Sequence, residues 1–295
     1  MRLIKPSFFE DVSLSTDKIV DSFSPAQMTQ IAEELGNYKL NKHPSSTILS
    51  AIIAGVFISI AFVFYITVTT GTATVAFGLA KLVGGICFSL GLMLVVCCGS
   101  DLFTSTVLTI LPKMTHKAGW LKMIRNWILV YIGNFIGAIL FVAVIWFSGQ
   151  YMVANGLWGL NVLQTADHKL HHTFIEAVFL GLLANLMVCL AAWMSYAGRS
   201  LLDKMLIMVL PVAMFVASGF EHSIANMFMI PMGIVINNFA SPEFWLSVGM
   251  SPDAFPALTV EHFVFNNLIP VTIGNILGGL AVALPYWALY LRKPH

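Results

Sequence analysis

The chain has 295 residues, of which 58% are hydrophobic and 10% are charged. A soluble globular chain carries roughly 45–50% apolar and about 25% charged residues, so a water-facing fold is excluded and an integral membrane protein is expected. Fifteen basic against fourteen acidic residues leave a net charge of +1, which excludes a nucleic-acid binder driven by bulk charge.

The first 46 residues are polar and include Glu10, Asp11, Asp17, Asp21, Glu33 and Glu34. They lack the basic stub, short apolar core and cleavage site of a signal peptide. Pro25 opens an amphipathic stretch, Ala26 to Leu40, expected at the membrane surface with Gly36 as an interruption. Apolar runs follow near 47–70, 78–111, 119–147, 173–197, 205–236 and 263–291. About 20 apolar residues cross the hydrocarbon core as a helix, and a helix satisfies its own backbone hydrogen bonds there. The alternation of a β-barrel is absent. The expectation is an all-α membrane protein of six spans, with an N-terminal region 1–46 and a transmembrane domain 47–295.

With the N-terminus inside, the cytoplasmic segments hold Arg2, Lys5, Lys18, Lys39, Lys42, Lys113, Lys117, Lys122, Arg125, Arg199, Lys204, Arg292 and Lys293. Lys81 and Lys169 alone fall on the other side, so both termini are expected in the cytoplasm. The outer segments are then 71–77, 148–172 and 237–262.

Spans two and five are overlong and interrupted. Span two carries Gly99-Ser100-Asp101, and span five carries Gly219-Phe220-Glu221 followed by His222. Spans three and six share Ile132-Gly133-Asn134-Phe135-Ile136-Gly137 and Ile273-Gly274-Asn275-Ile276-Leu277-Gly278. Residues of about 47–147 and 173–291 therefore read as two copies of a three-span unit. An odd number of spans per copy makes the copies opposite in topology. Inverted repeats with paired broken helices are a transporter and channel architecture. Each Gly-x-acid taken singly reads equally well as a packed helix kink.

An ionisable group at membrane depth costs at least about 2.5–3.5 kcal/mol. Asp101 and Glu221 are expected to offset this by accepting the free N–H groups at their breaks, as N-caps. His222, a lone histidine in a broken span, reads as lining a path. The half-helix N-termini add backbone donors suited to a small anion. Asn185 and Asn226 read as either interhelical glue or path lining. Cys87, Cys97, Cys98 and Cys189 lie in apolar runs and read as buried hydrophobes. Gly84-Gly85 and Gly278-Gly279 read as packing surfaces, since no phosphate-loop Lys follows them. His168, His171 and His172 share a helical face, but Asp167 and Lys169 interleave, and neither a metal site nor a cofactor is expected.

The segments Lys81–Ser89, Asp101–Ser105 and Gly219–Met227 resemble the formate/nitrite transporter family, and the resemblance runs from about Ala32 to Arg292. It implies a homopentamer of aquaporin-like protomers in the bacterial inner membrane, each with its own pore. It implies passive, pH-sensitive conduction of formate and similar small monovalent anions, with a formate-metabolising enzyme as partner at the cytoplasmic face. His222 matches the family's pore histidine and Thr104 the threonine paired with it. A hydroxyl donating to one imidazole nitrogen would leave the other free to face the path. Asn185 matches a residue near the path. Phe88, Leu92, Leu102, Phe103 and Phe215 match narrow points, where apolar rings block hydrated ions by dewetting. Lys169 matches an outer-vestibule lysine that raises local anion concentration, and Lys39 is expected to do likewise inside. Paired Asn-Pro-Ala turns are absent, so water conduction is not expected. The alternatives are a nitrite or hydrosulfide channel of the same fold, an intramembrane enzyme using Glu221 and His222 as base and acid, and a receptor or structural protein.

Overall fold

A computed structural model describes residues 22–292. Arg2, Lys5, Lys18 and Lys293 lie outside the described residues, as does most of the N-terminal segment 1–25. Helix α1 (Pro25–Asn41) begins at Ser24, which shares a reciprocal capping box with Gln27. It runs unbroken through Gly36, contrary to the expected interruption. A Cβ at Gly36 would meet Pro112 Cδ at 3.0 Å, so the glycine admits a neighbouring turn. The helix is tied down by Lys117 Nζ on Glu33 Oε2 at 2.7 Å and by Asn126 Nδ2 on the Lys39 carbonyl at 3.3 Å.

Helices α2 (Pro44–Thr69) and α3 (Phe77–Cys97) follow. After a break come α4 (Phe103–Thr106), a 3-10 turn (Val107–Thr109) and α5 (Ile110–Met114). Then α6 (Trp120–Phe147), α7 (Leu157–Leu170) and α8 (Phe174–Ser195) lead to the second break. That break separates α9 (Leu201–Ala217) from α10 (Ser223–Phe239). Helix α11 (Pro242–Val248) leaves α10 at 107°, and α12 (Val260–Leu291) closes the bundle with π-helical stretches at Phe263–Leu268 and Trp287–Leu291. Helices α2, α3, α6, α8 and α12 are each long and apolar enough to cross a bilayer. The remaining expected span is α9 plus α10, each 17 residues long. Within the expected outer segment 148–172, α7 buries Trp158, Val162, Leu163 and Ala166 completely.

The spans pack in matched pairs, α2 on α6 and α8 on α12. A Cβ at Gly137 would stand 2.0 Å from the Ile52 carbonyl oxygen, and one at Gly278 2.2 Å from that of Leu182. Such backbone approach is how helices associate where lipid supplies no hydrophobic drive. Helix α3 meets α9 the same way, through Gly85 against Ala213. The broken helices are thus held between two tight seams. Cys97 and Cys98, expected to be buried, are exposed at the end of α3, while Cys189 is buried.

Candidate functional site

Both breaks are built alike. Helix α3 stops in a Schellman turn, with the Ser100 N–H on the Val95 carbonyl at 2.9 Å and Gly99 left-handed at φ 76°. Helix α9 stops identically, with the Phe220 N–H on the Phe215 carbonyl at 3.0 Å and Gly219 at φ 73°. A side chain at either glycine would strain the turn, which explains the Gly of both Gly-x-acid motifs.

Each chain then crosses in extended form to a new helix start, and that start is capped from another span. Asn134 Oδ1 accepts the Phe103 N–H at 2.9 Å, and its Nδ2 donates to the Asp101 and Ala51 carbonyls at 3.0 and 2.8 Å. Asn275 Oδ1 accepts the Ser223 N–H at 2.9 Å, and its Nδ2 donates to the Glu221 and Gly181 carbonyls at 3.0 and 2.7 Å. The expectation that Asp101 and Glu221 act as caps is therefore corrected. A carboxylate has no N–H to give the exposed carbonyls, whereas an amide serves both ends of the break at once.

The carboxylates are neutralised instead by lysines. Asp101 takes Lys42 Nζ at 2.5 Å and lies 3.6 Å from Lys39 Nζ. Glu221 takes Lys169 Nζ at 2.8 Å through Oε1 and Asn226 Nδ2 at 2.6 Å through Oε2. Asn267, which the sequence reading did not single out, donates to Glu221 Oε2 at 3.2 Å and to the Lys169 carbonyl at 3.0 Å. His172 Nε2 sits 3.7 Å from Glu221 Oε1. Lys39 and Lys169, expected at the two mouths, thus face carboxylates, and Lys169 also lines the cavity beside His222.

Between the two breaks, Thr104 Oγ1 and His222 Nε2 are 3.0 Å apart, both buried. His222 is also the cap of α10, its Nδ1 accepting the Ala225 N–H at 3.1 Å. A neutral imidazole whose Nδ1 accepts carries its proton on Nε2. His222 therefore donates to Thr104, and the Thr104 hydroxyl proton is left to point elsewhere. The expectation of a free imidazole nitrogen facing the path is corrected, because helix capping occupies it. Asn185 Nδ2 donates to the Thr104 carbonyl at 3.1 Å and also to the Asn275 carbonyl, so it clasps the first half-helix to the second repeat. Cys189 Sγ lies 3.4 Å from the same Thr104 oxygen.

A cavity of about 90 Å³ opens beside His222, lined by Phe62, Tyr65, Lys81, Phe88, Thr165, His168, Lys169 and Phe215 among others. Phe88 and Phe215 meet edge to face at 5.9 Å, Phe62 joins Phe88 at 5.3 Å, and Phe215 stacks on the His222 ring at 6.0 Å. Leu92 is buried one turn beyond Phe88, and Leu102 is buried just before α4. Phe103 is placed differently. Its ring packs on Tyr131 at 4.9 Å and Trp127 at 6.3 Å and faces a groove between α6 and α12, outside the Phe88–Phe215 cluster.

The histidines at the rim do different things. His171 turns to Asp167, while the His168 and His172 rings meet at 5.3 Å. Partial desolvation, then the neighbouring His172 and Lys169, hold His168 below the ordinary imidazole value. Among the described residues no group of three or more His, Cys, Asp or Glu side chains is arranged to hold a metal ion.

The family profile described as formate/nitrite transporter matches residues 26–288. A curated relative, the formate channel FocA of Escherichia coli K12, is 68% identical over 281 residues, covering 95% of this chain and 99% of that protein. The formate channel FocA of Haemophilus influenzae is 52% identical over 274 residues, covering 93% and 96%. A solved structure described as a pentameric formate channel with formate bound superposes with a TM-score of 0.81 at 49% identity, covering 84% of this chain and 98% of that one. Profile, relatives and fold agree over nearly the whole length, and the chain belongs to the formate/nitrite transporter family.

Proposed function

We propose that the protein is a homopentameric formate channel of the bacterial inner membrane, each protomer carrying a path past His222 and Thr104. The observation that carries this reading is the 3.0 Å contact of Thr104 Oγ1 with His222 Nε2, which joins the two broken helices at the centre of the bundle. Relatives named formate channels and a pentameric structure with formate bound support the substrate and the assembly. The basic residues on α1 and the segment 113–125 support cytoplasmic termini. A formate-metabolising enzyme is proposed as the partner at this face, where α1 carries the exposed Leu35 and Tyr38.

The path runs from a mouth lined by Lys169 through Phe62, Phe88 and Phe215, with Leu92 and Leu102 as further apolar narrowings. Such a stretch resists hydrated anions and admits the neutral acid. The Thr104 hydroxyl, already accepting from His222 Nε2–H, donates its own proton toward a formate oxygen. A proton arriving at His222 enters at Nδ1, in place of the Ala225 hydrogen bond, and makes an imidazolium. The imidazolium passes its Nε2 proton to Thr104 Oγ1 while the Thr104 hydroxyl proton passes to formate. Formic acid and a neutral imidazole protonated on Nδ1 result, and the charge of the ion and of the ring cancel. Asn185, Asn226 and Glu221 hold this centre in place, and Lys39 and Lys169 neutralise the carboxylates that follow the two breaks. An intramembrane enzyme built on Glu221 and His222 is disfavoured, because Glu221 is saturated by Lys169, Asn226 and Asn267.

Uptake of labelled formate, nitrite and hydrosulfide into proteoliposomes over a pH series tests the reading. Formate uptake that rises as the exterior is acidified supports it. Uptake of nitrite or hydrosulfide with no formate flux assigns the same path to another monoanion, and no flux of any overturns it.

A further inference from the structure

Lys169, the cation that the family resemblance sets at the mouth, is not a free charge: Glu221 holds it at 2.8 Å. The cavity leading to His222 has a second cation on its wall, Lys81. Lys81 makes no ion pair within 4 Å among the described residues. Counting Lys81, Lys169 and Glu221, the cavity wall carries one net positive charge, and that charge belongs to Lys81. Its ammonium rests 5.6 Å from the centre of the Phe77 ring and 3.5 Å from the Tyr65 hydroxyl.

Tyr65 is held in that position by its neighbours. Gly84, one turn along α3 from Lys81, leaves the Tyr65 ring lying on the helix, where a Cβ would come within 2.7 Å of Tyr65 Cε2. Phe62 braces the other side of the ring, edge to face at 5.6 Å. Phe62 also touches Phe88, which touches Phe215. The aromatic wall therefore has a polar end at Tyr65 and Lys81 and a buried end at His222.

We propose that Lys81, with the Tyr65 hydroxyl beside it, is a docking site for a small monocarboxylate or comparable monoanion at the Lys169-lined mouth, occupied before the anion passes Phe88 and Phe215. An ammonium and a phenol hydroxyl offer N–H and O–H donors to the two oxygens of a carboxylate. A cation in a low-dielectric cleft raises the local concentration of its counter-ion, and salt screens the effect. The inference rests on the anion-channel reading and names the residue that recruits its substrate.

The test is initial formate flux into proteoliposomes against formate concentration, at low and high ionic strength, for wild type, Lys81→Gln, Lys81→Arg and Tyr65→Phe. Lys81→Gln raises the half-saturating concentration by about 3- to 10-fold, leaves the maximum rate little changed and flattens the salt response. Lys81→Arg keeps the wild-type values, and Tyr65→Phe raises half-saturation by about twofold. Lys81→Met, which keeps the apolar stem, is the second neutral variant should Lys81→Gln not assemble. Unchanged half-saturation and salt response in the neutral variant overturn the site. A fall in maximum rate alone overturns it too, marking Lys81 as structural. A wild type that passes no small monoanion instead fails the channel reading itself.

Discussion

Asn134 and Asn275 stand in one relation to the two breaks: each accepts the first N–H of the new half-helix and donates to the carbonyl of the acidic residue two positions before it. Neither side chain touches water. Replacement by Ala deprives the first N–H of the half-helix and the carbonyl of the acidic residue of this partner, at about 1–3 kcal/mol for each buried group left unpaired. Asn134→Ala and Asn275→Ala are expected to lower the unfolding temperature of the purified protein sharply and by similar amounts. A large loss in one variant and none in the other would break the equivalence of the repeats.

Lys169 and Glu221 are both nearly buried, with side chains 12% and 2% exposed. Removing one partner strands the other, which costs about 3–5 kcal/mol in a buried pair. Glu221→Gln and Lys169→Gln are each expected to destabilise the protein strongly. The double variant is expected to lose less than the sum of the two. Thermal unfolding of all four proteins gives the coupling, and additive losses would show that the pair is not a unit.

The tautomer of His222 follows from its role as a helix cap. With Nδ1 held by the Ala225 N–H, nitrogen shifts of the labelled histidine at neutral pH are expected to show a protonated Nε2 and a bare Nδ1. His222→Asn keeps a capping oxygen and a donor but cannot carry a proton. It is expected to assemble, to pass some anion and to lose the uptake that depends on an acidic exterior. Thr104→Ala removes the hydroxyl through which that proton passes, and is expected to lose the acid-driven uptake as His222→Asn does while still passing some anion. A wild-type pH profile in His222→Asn would remove the proton relay.

Phe88 and Phe215 meet edge to face, with Leu92 buried one turn beyond Phe88, and these three are the proposed narrowing of the path. Trimming Phe215 or Leu92 to Ala is expected to admit larger carboxylates such as acetate and lactate. Flux ratios of acetate to formate in liposomes measure this, and unchanged ratios in both variants assign these residues to packing.

Orientation is open to direct labelling. In a variant with the exposed Cys97 and Cys98 replaced by Ser, a cysteine at Gln150 is expected to react from outside intact spheroplasts and one at Lys117 to remain unlabelled. Reaction of both, or the reverse pattern, would contradict the inverted repeat.

The architecture was legible in the sequence because hydropathy, Gly-x-acid breaks and the Ile-Gly-Asn-x-x-Gly repeat are all local patterns. Two-sided capping was not, because it depends on Asn134 meeting Phe103 across space, which no spacing along one chain reveals. Lys42 was read as an orientation marker, since a basic residue beside a span is ordinarily that, and its pairing with Asp101 joins residues 59 positions apart. Asn267 was missed for a similar reason. It lies just inside the sixth apolar run, 263–291, beside Asn266. Two adjacent amides in an otherwise apolar run were the available signal. The His222–Thr104 pairing and the place of Phe88 were carried by family resemblance, which grouped Phe103 with them although its ring packs on Tyr131 and Trp127.

The seams at Gly137 and Gly278 leave no volume for even one added methyl, whereas Phe88 and Phe215 meet through their rings alone. His222 belongs to both orders of structure, since it caps α10 and lies against Phe215. Substitution at the seams would dismantle the molecule and substitution at His222 would disturb a helix start, but exchange at Phe88 and Phe215 leaves the backbone seams intact. Such a division gives the protein a route to new anions by drift at those two rings, with the frame carried along unaltered.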